Sequence, residues 1–164
     1  MSSHISGGET NIYQLLKHNK MKKQDYHYSF TADVPADEAF DAINDVKAWW
    51  ARCFEGHATA VHDLFSMPFG KTWVNFEVIE LVPGQMVAWL VTDCNIEFVR
   101  DKKEWNGTTV IFRIKPLAQG VEVSMTHVGL VPDVECYENC ERGWNHHFGE
   151  SLKKLLTEKV GLPA

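Results

Sequence analysis

The feature that most constrains this chain is a change of hydrophobic period at Pro132-Asp133. Before it, apolar residues recur at every second position in segments separated by turn pairs such as Pro83-Gly84, Asn106-Gly107 and Gln119-Gly120. After it, Tyr137, Cys140, Trp144, Phe148, Leu152 and Leu155 recur every three or four residues, until Gly161 and Pro163 stop the pattern. A strand buries alternate residues and a helix buries one stripe, so a set of strands followed by one long helix must bury them against each other. A helix from Val134 to Val160 would be about 40 Å long at 1.5 Å per residue, enough to cross a whole sheet. The expected class is α+β, with an antiparallel sheet curling around the terminal helix and leaving room for a cavity between them.

Alternation places the strands. Tyr26, Tyr28 and Phe30 share one side of the first. Val74, Phe76 and Val78 do so in Lys71–Leu81, Val87, Trp89 and Val91 in Met86–Thr92, and Val110, Phe112 and Ile114 in Thr108–Lys115. The last strand, Val121–Gly129, puts Val121, Val123, Met125 and His127 together. Ile96, Phe98 and Val99 suggest an additional short strand between Asp93 and Glu104. After the first strand, Pro35, Asp37 and Glu38 suit the first turn of a short helix whose apolar face is Ala39, Phe40 and Ile43. A second turn, Val46–Phe54, carries Trp49-Trp50. Consecutive side chains on a helix diverge by about 100°, so one ring is expected in the core and the other over an edge or a pocket mouth. Residues 1–20 are expected to be a flexible extension or a cloning remnant, the alternative being a short docking helix at Ile12–His18, and 21–164 a single domain.

Composition narrows the function. A length of 164 residues suits one domain, and 45% hydrophobic with 23% charged residues is ordinary for a globular chain. No apolar run is long enough to cross a bilayer, so no stable membrane insertion is expected. A formal net charge of −6, with no basic stripe beyond Lys20, Lys22 and Lys23, argues against nucleic acid. The cysteines Cys53, Cys94, Cys136 and Cys140 follow no signal peptide and read as reduced thiols in a cytoplasm. Six Trp, nine Phe and four Tyr supply ring surface that must line something.

Several segments together resemble a known family. Tyr28-Ser29-Phe30 leading to Pro35-Ala36-Asp37-Glu38-Ala39-Phe40, the Trp49-Trp50 doublet and Glu104-Trp105-Asn106-Gly107-Thr108 carry the likeness, with Met125 to Pro132 and Gly143-Trp144. They are similar to the START-like, helix-grip superfamily often called SRPBCC, and within it to the group of activator of heat-shock-protein-90 ATPase homologues. The likeness spans Asp25–Val160. It implies a curved antiparallel sheet of six or seven strands around a long C-terminal helix, with two short helices after the first strand and a hydrophobic cavity. It also implies relatives that bind lipids, polyketides or other apolar molecules, cyclise polyketides, or assist a chaperone.

Direct chemical signals are few: the sequence has no phosphate-binding loop, dinucleotide glycine pattern, HExxH, GxSxG or paired CxxC. Cys136 and Cys140 precede His146 and His147 on the last helix, but Cys140 and His147 stand roughly 10 Å apart along its axis, so no metal is expected. No cofactor is expected either. His127 is the polar outlier on an apolar face. It is either a ligand anchor or proton carrier, or a core histidine bonded to a backbone carbonyl or Tyr137. The expected ligand-binding set is Trp50 and Phe54 at the mouth, Phe76, Trp89, Phe112, Met125, Trp144 and Phe148 on the walls, and His127 as anchor. The first expectation is therefore a binding protein for a small apolar ligand, lipid- or polyketide-like, with no catalytic residue. A module that docks a chaperone or other protein is the second, and a cyclase or hydrolase with His127 as base the third.

Overall fold

The computed structural model describes residues 24–164. The expectations for residues 1–20 therefore lie outside the described residues. Seven strands form one antiparallel sheet: β1 (Tyr26–Ala32), β2 (Glu55–Gly56), β3 (Leu64–Phe69), β4 (Thr72–Val82), β5 (Met86–Asn95), β6 (Thr109–Pro116) and β7 (Val121–Val128). Their order is β1-β7-β6-β5-β4-β3-β2, so every neighbour in sequence from β2 to β7 is a neighbour in space, while β1 crosses to pair with β7. Register follows the apolar alternation: Phe76 faces Val91, Val87 faces Phe112, and Phe112 faces Met125. The positions expected to face inward on β4 to β7 are all buried.

Two strands escaped sequence reading. Pro68-Phe69-Gly70 looks like a turn, yet Pro68 lies inside β3 opposite Trp73. Proline is tolerated there because β3 pairs with β2 only through Ser66 and Phe65, leaving the outer edge at Pro68 without a ladder partner. The expected strand at Ile96–Val99 is instead a series of turns, in which Ile96 and Val99 point into the core and Phe98 points out.

Helices α1 (Ala36–Asn44) and α2 (Val46–Trp49) close one end of the sheet. Of the Trp49-Trp50 pair, Trp49 is fully buried as one ring was expected to be, while Trp50, expected over an edge or a pocket mouth, lies deeper than that, its ring 5.9 Å from Trp49 and nearly parallel to it. Trp50 still belongs to this turn, its amide donating to the Val46 carbonyl at 2.8 Å, and its ring is taken in by Trp89 and Trp144. Ser151 secures this turn by donating to the Trp49 carbonyl at 2.7 Å while accepting from the Leu162 amide.

The terminal helix begins at Tyr137, later than Val134, and ends at Glu158, where Lys159 takes a left-handed conformation. It is α3 (Tyr137–Trp144), a π-wound segment (Asn145–Leu152) and α4 (Lys153–Glu158) in one continuous run. The winding has a visible cause. Trp144, Phe148, Leu152 and Leu156 are the deeply buried large apolar residues, and their strict spacing of four would drift off one face of a 3.6-residue helix. A wider turn with i to i+5 bonding restores the alignment. Leu156 thus replaces Leu155, which is only half-buried, in the expected stripe. Gly149 lets the helix come close to β1, since a β-carbon there would fall 2.8 Å from the Tyr28 ring.

Candidate functional site

The centre of the sheet's concave face is filled. Trp89 and Phe112 meet edge to face at 4.7 Å, Trp50 lies parallel to Trp89 at 6.0 Å, Phe65 stacks on Phe76 at 4.9 Å, and Phe148 covers Phe112 at 5.9 Å. These rings bury one another in the offset and T-shaped geometries that aromatic pairs favour. Phe76, Trp89, Phe112, Met125 and Phe148, expected as cavity walls, are therefore packed core. Phe54, expected at the mouth, packs instead on Phe65 with the Lys47 ammonium over its ring at 5.8 Å.

Space survives at the other end, where the β3–β4 hairpin, the turns after β5 and the first half of the terminal helix diverge. A cavity of about 350 Å³ lies there, open to solvent on one side. Trp50 and Trp144, two of the nine expected residues, form its inner wall. Phe69 and Val74 come from the hairpin, Ile96, Phe98 and Trp105 from the turns, and Cys140, Gly143 and His147 from the helix. Phe98 stands on the rim, 52% exposed. No Lys, Arg, Asp or Glu lines the space among the described residues.

The inner wall is held by a chain of hydrogen bonds centred on His127. The Trp144 indole N–H can only donate, and it donates to His127 Nδ1 at 3.1 Å. That fixes the neutral tautomer with the proton on Nε2, which donates to Thr108 Oγ1 at 2.9 Å; the hydroxyl in turn donates to the Trp105 carbonyl at 2.7 Å. Burial pushes the His127 pKa down to about 3, so the ring is neutral at ordinary pH. Both nitrogens are committed inside the protein. His127 is a core residue that aligns two cavity-lining tryptophans; it offers no nitrogen to a ligand as anchor or to a substrate as base. Its partners are Thr108 and Trp144, where a backbone carbonyl or Tyr137 was expected.

Trp105 is set by the same segment. Its ring lies parallel to Trp144 at 6.2 Å and its N–H donates to Cys136 Sγ at 3.3 Å. The neighbouring Glu104 carboxylate accepts from the Glu135 and Cys136 amides at 2.9 and 3.0 Å. It places a negative charge at the positive end of the terminal helix and ties the turns to that helix. A hydrogen bond with Cys140, then burial, raises the Cys136 thiol far above the usual range, so it stays protonated and inert.

His147 is the residue sequence reading set aside. Its ring stands 6.3 Å from Trp50 and 6.2 Å from Phe69. It makes no hydrogen bond to any described residue, and Nδ1 is sealed from solvent without a partner. Leaving such a group unpaired costs about 1–3 kcal/mol. Burial, helped by His146, lowers its pKa to about 4, so it too is neutral. The available signal was its spacing of three from Trp144, which puts the two on neighbouring helix faces.

Solved structures share this fold. A subunit of the Aha1 dimer from Colwellia psychrerythraea is 20% identical, with 80% of this chain and 95% of that one covered and a TM-score of 0.66. A protein from Chromobacterium violaceum is also 20% identical, over 80% and 96% of the two chains, with a TM-score of 0.63. A putative protein of the dynemicin biosynthetic locus is 15% identical, over 84% of this chain and 48% of that one, with a TM-score of 0.58. No curated protein matches the sequence. Residues 33–157 match the family model described as activator of Hsp90 ATPase homolog 1-like protein, a span running from the end of β1 almost to the end of the terminal helix, and the chain belongs to that family.

Proposed function

We propose that this protein binds a small, largely apolar molecule in the cavity between the β3–β4 hairpin and the terminal helix. The observation that carries the reading is an open space of about 350 Å³ walled mainly by aromatic and aliphatic groups, with Thr72, Asn139 and His147 as its polar members and no Lys, Arg, Asp or Glu among the described residues. Pockets of this kind lie at the lower end of the range that holds small ligands. Burial of apolar ligand surface supplies the affinity, at about 25 cal/mol per Å². All four cysteines are unpaired thiols, which supports a reducing, cytoplasmic setting. No helix among the described residues is long and apolar enough to cross a membrane.

Native mass spectrometry of freshly purified protein tests the reading. A mass adduct that vanishes on denaturation, and that extraction identifies as an apolar molecule, is the expected result. A clean apo mass, together with no binding of apolar probes at millimolar concentration, overturns it.

Docking of a chaperone or another protein is the second reading, and Phe98 favours it. A large apolar ring left 52% exposed at the cavity rim is a natural contact for a partner. Under that reading, replacing Phe98 with Ser abolishes co-purification of the partner; under the first it changes only ligand affinity.

A further inference from the structure

We infer that the ligand is a neutral molecule of about two fused rings carrying one hydroxyl or carbonyl, which pairs with the His147 imidazole. This rests on the reading of the cavity as a ligand site and adds the chemical class.

Three observations lead there. The volume of about 350 Å³ is a little more than twice the roughly 150 Å³ cavity known to take up benzene, which suits two fused rings. The walls present flat faces: Trp105 and Trp144 are parallel, and Trp50 lies 4.7 Å from Trp144. Flat walls favour a flat guest over a flexible chain, which would lose rotamer freedom on binding. The polar atoms then decide the head group. His127 and Trp105 spend their ring nitrogens inside the protein, the Thr72 hydroxyl accepts from the Glu97 amide, and Asn139 is exposed with its Oδ1 accepting from Arg142, whereas the neutral His147 has neither nitrogen bonded to any described residue; its Nδ1 is closed off, which leaves Nε2 to meet a guest. Nε2 of a neutral imidazole donates in one tautomer and accepts in the other, so it can meet either a carbonyl or a hydroxyl.

The absence of cationic side chains from the lining makes the site hostile to a carboxylate, which would lose its hydration without compensation. His147 also lies in the π-wound segment, a widened form of helix that often marks functional positions. The widening aligns the buried stripe and holds His147 beside Trp50 and Phe69.

Amide NMR titrations of residues 1–164 at pH 7 with naphthalene, 1-naphthol and 1-naphthoate separate the outcomes. The inference expects 1-naphthol to bind about threefold to tenfold tighter than naphthalene, as one net hydrogen bond would give, and 1-naphthoate to bind weakest. Replacing His147 with Phe, in a variant whose free spectrum shows a folded protein, is expected to bring the naphthol-to-naphthalene ratio to about one. Equal affinities for naphthalene and 1-naphthol in the unaltered protein overturn the role of His147 while leaving the cavity as the binding site. Tightest binding by 1-naphthoate overturns the neutral class. Failure of all three probes to bind overturns the cavity reading itself, and the inference with it.

Discussion

Gly143 offers the sharpest probe of the cavity, because one position couples helix stability to ligand space. It lies in α3 beside Trp144 and lines the cavity, and a β-carbon built there meets no heavy atom within 4 Å. Glycine in a helix interior is less favourable than alanine by about 0.8–1 kcal/mol, through the backbone freedom it loses on folding. Since no clash offsets this gain, Gly143→Ala is expected to raise stability by about 1 kcal/mol, or about 2–4 °C in melting temperature for a chain of this size. Gly143→Leu keeps most of the gain, because leucine is nearly as good a helix former. Its side chain projects into a space comparable to two benzene volumes, so the affinity of a bicyclic guest is expected to fall by about tenfold or more. Urea denaturation of the three proteins reads the first effect, and NMR titration with naphthalene reads the second. Loss of stability in Gly143→Ala would show that the β-carbon direction is closed. A fully stable Gly143→Leu that binds naphthalene unchanged would refute the cavity as the site.

Three further predictions concern the frame around it. Removing the His127 ring by substitution with Ala strands the Trp144 N–H and the Thr108 hydroxyl and opens a void; the expected cost is about 3 kcal/mol or more by urea denaturation, and a loss under 1 kcal/mol would contradict the buried relay. The same residue makes the fold sensitive to acid. Its pKa is about 3 when folded and about 6.5 when unfolded, so the unfolded chain takes up the proton first. Stability from this source is complete above pH 6.5 and falls by up to about 1.4 kcal/mol per unit as pH drops from 6.5 towards 3, which denaturation at a series of pH values will show. His127→Ala is expected to flatten that slope. Glu104→Ala removes the carboxylate that accepts from the Glu135 and Cys136 amides and is expected to cost about 1–2 kcal/mol, read by urea denaturation, with slower hydrogen exchange lost first at those amides.

Much of the frame was legible because its rules are local. Val74, Phe76 and Val78 alternate as a half-buried strand must, and every inward position named on β4 to β7 is buried. The helical stripe was legible too, apart from its last member. Cys140, Trp144, Phe148 and Leu152 are spaced by four throughout, and that strict spacing was the missed sign of a wider winding and of Leu156 rather than Leu155. Trp50 lies deeper than its spacing suggests because Trp89 and Trp144, far away in sequence, close around its ring at 6.0 and 4.7 Å, and helical periodicity carries no sign of such contacts.

The site was much less legible, because burial periodicity identifies which residues face inward without showing where inward-facing residues fail to fill the space. Across the middle of the sheet, rings from β4, β5, β6 and the helix reach one another and close the gap. Towards Phe69 and Ile96 the helix and hairpin spread apart, and no side chain from the opposite wall crosses. Three of the residues that bound this opening, Ile96, Phe98 and Trp105, come from irregular turns, which are held there by contacts far apart in sequence: Glu104 to the Cys136 amide, Trp105 to Cys136, and Thr108 to His127. Each of those contacts belongs to a segment that carries the family likeness, Glu104 to Thr108 or Met125 to Pro132. Their shared task is structural. They clamp the turns after β5 onto the helix and hold Trp105 parallel to Trp144, so the cavity keeps its shape before any ligand arrives, which lowers the ordering cost of binding.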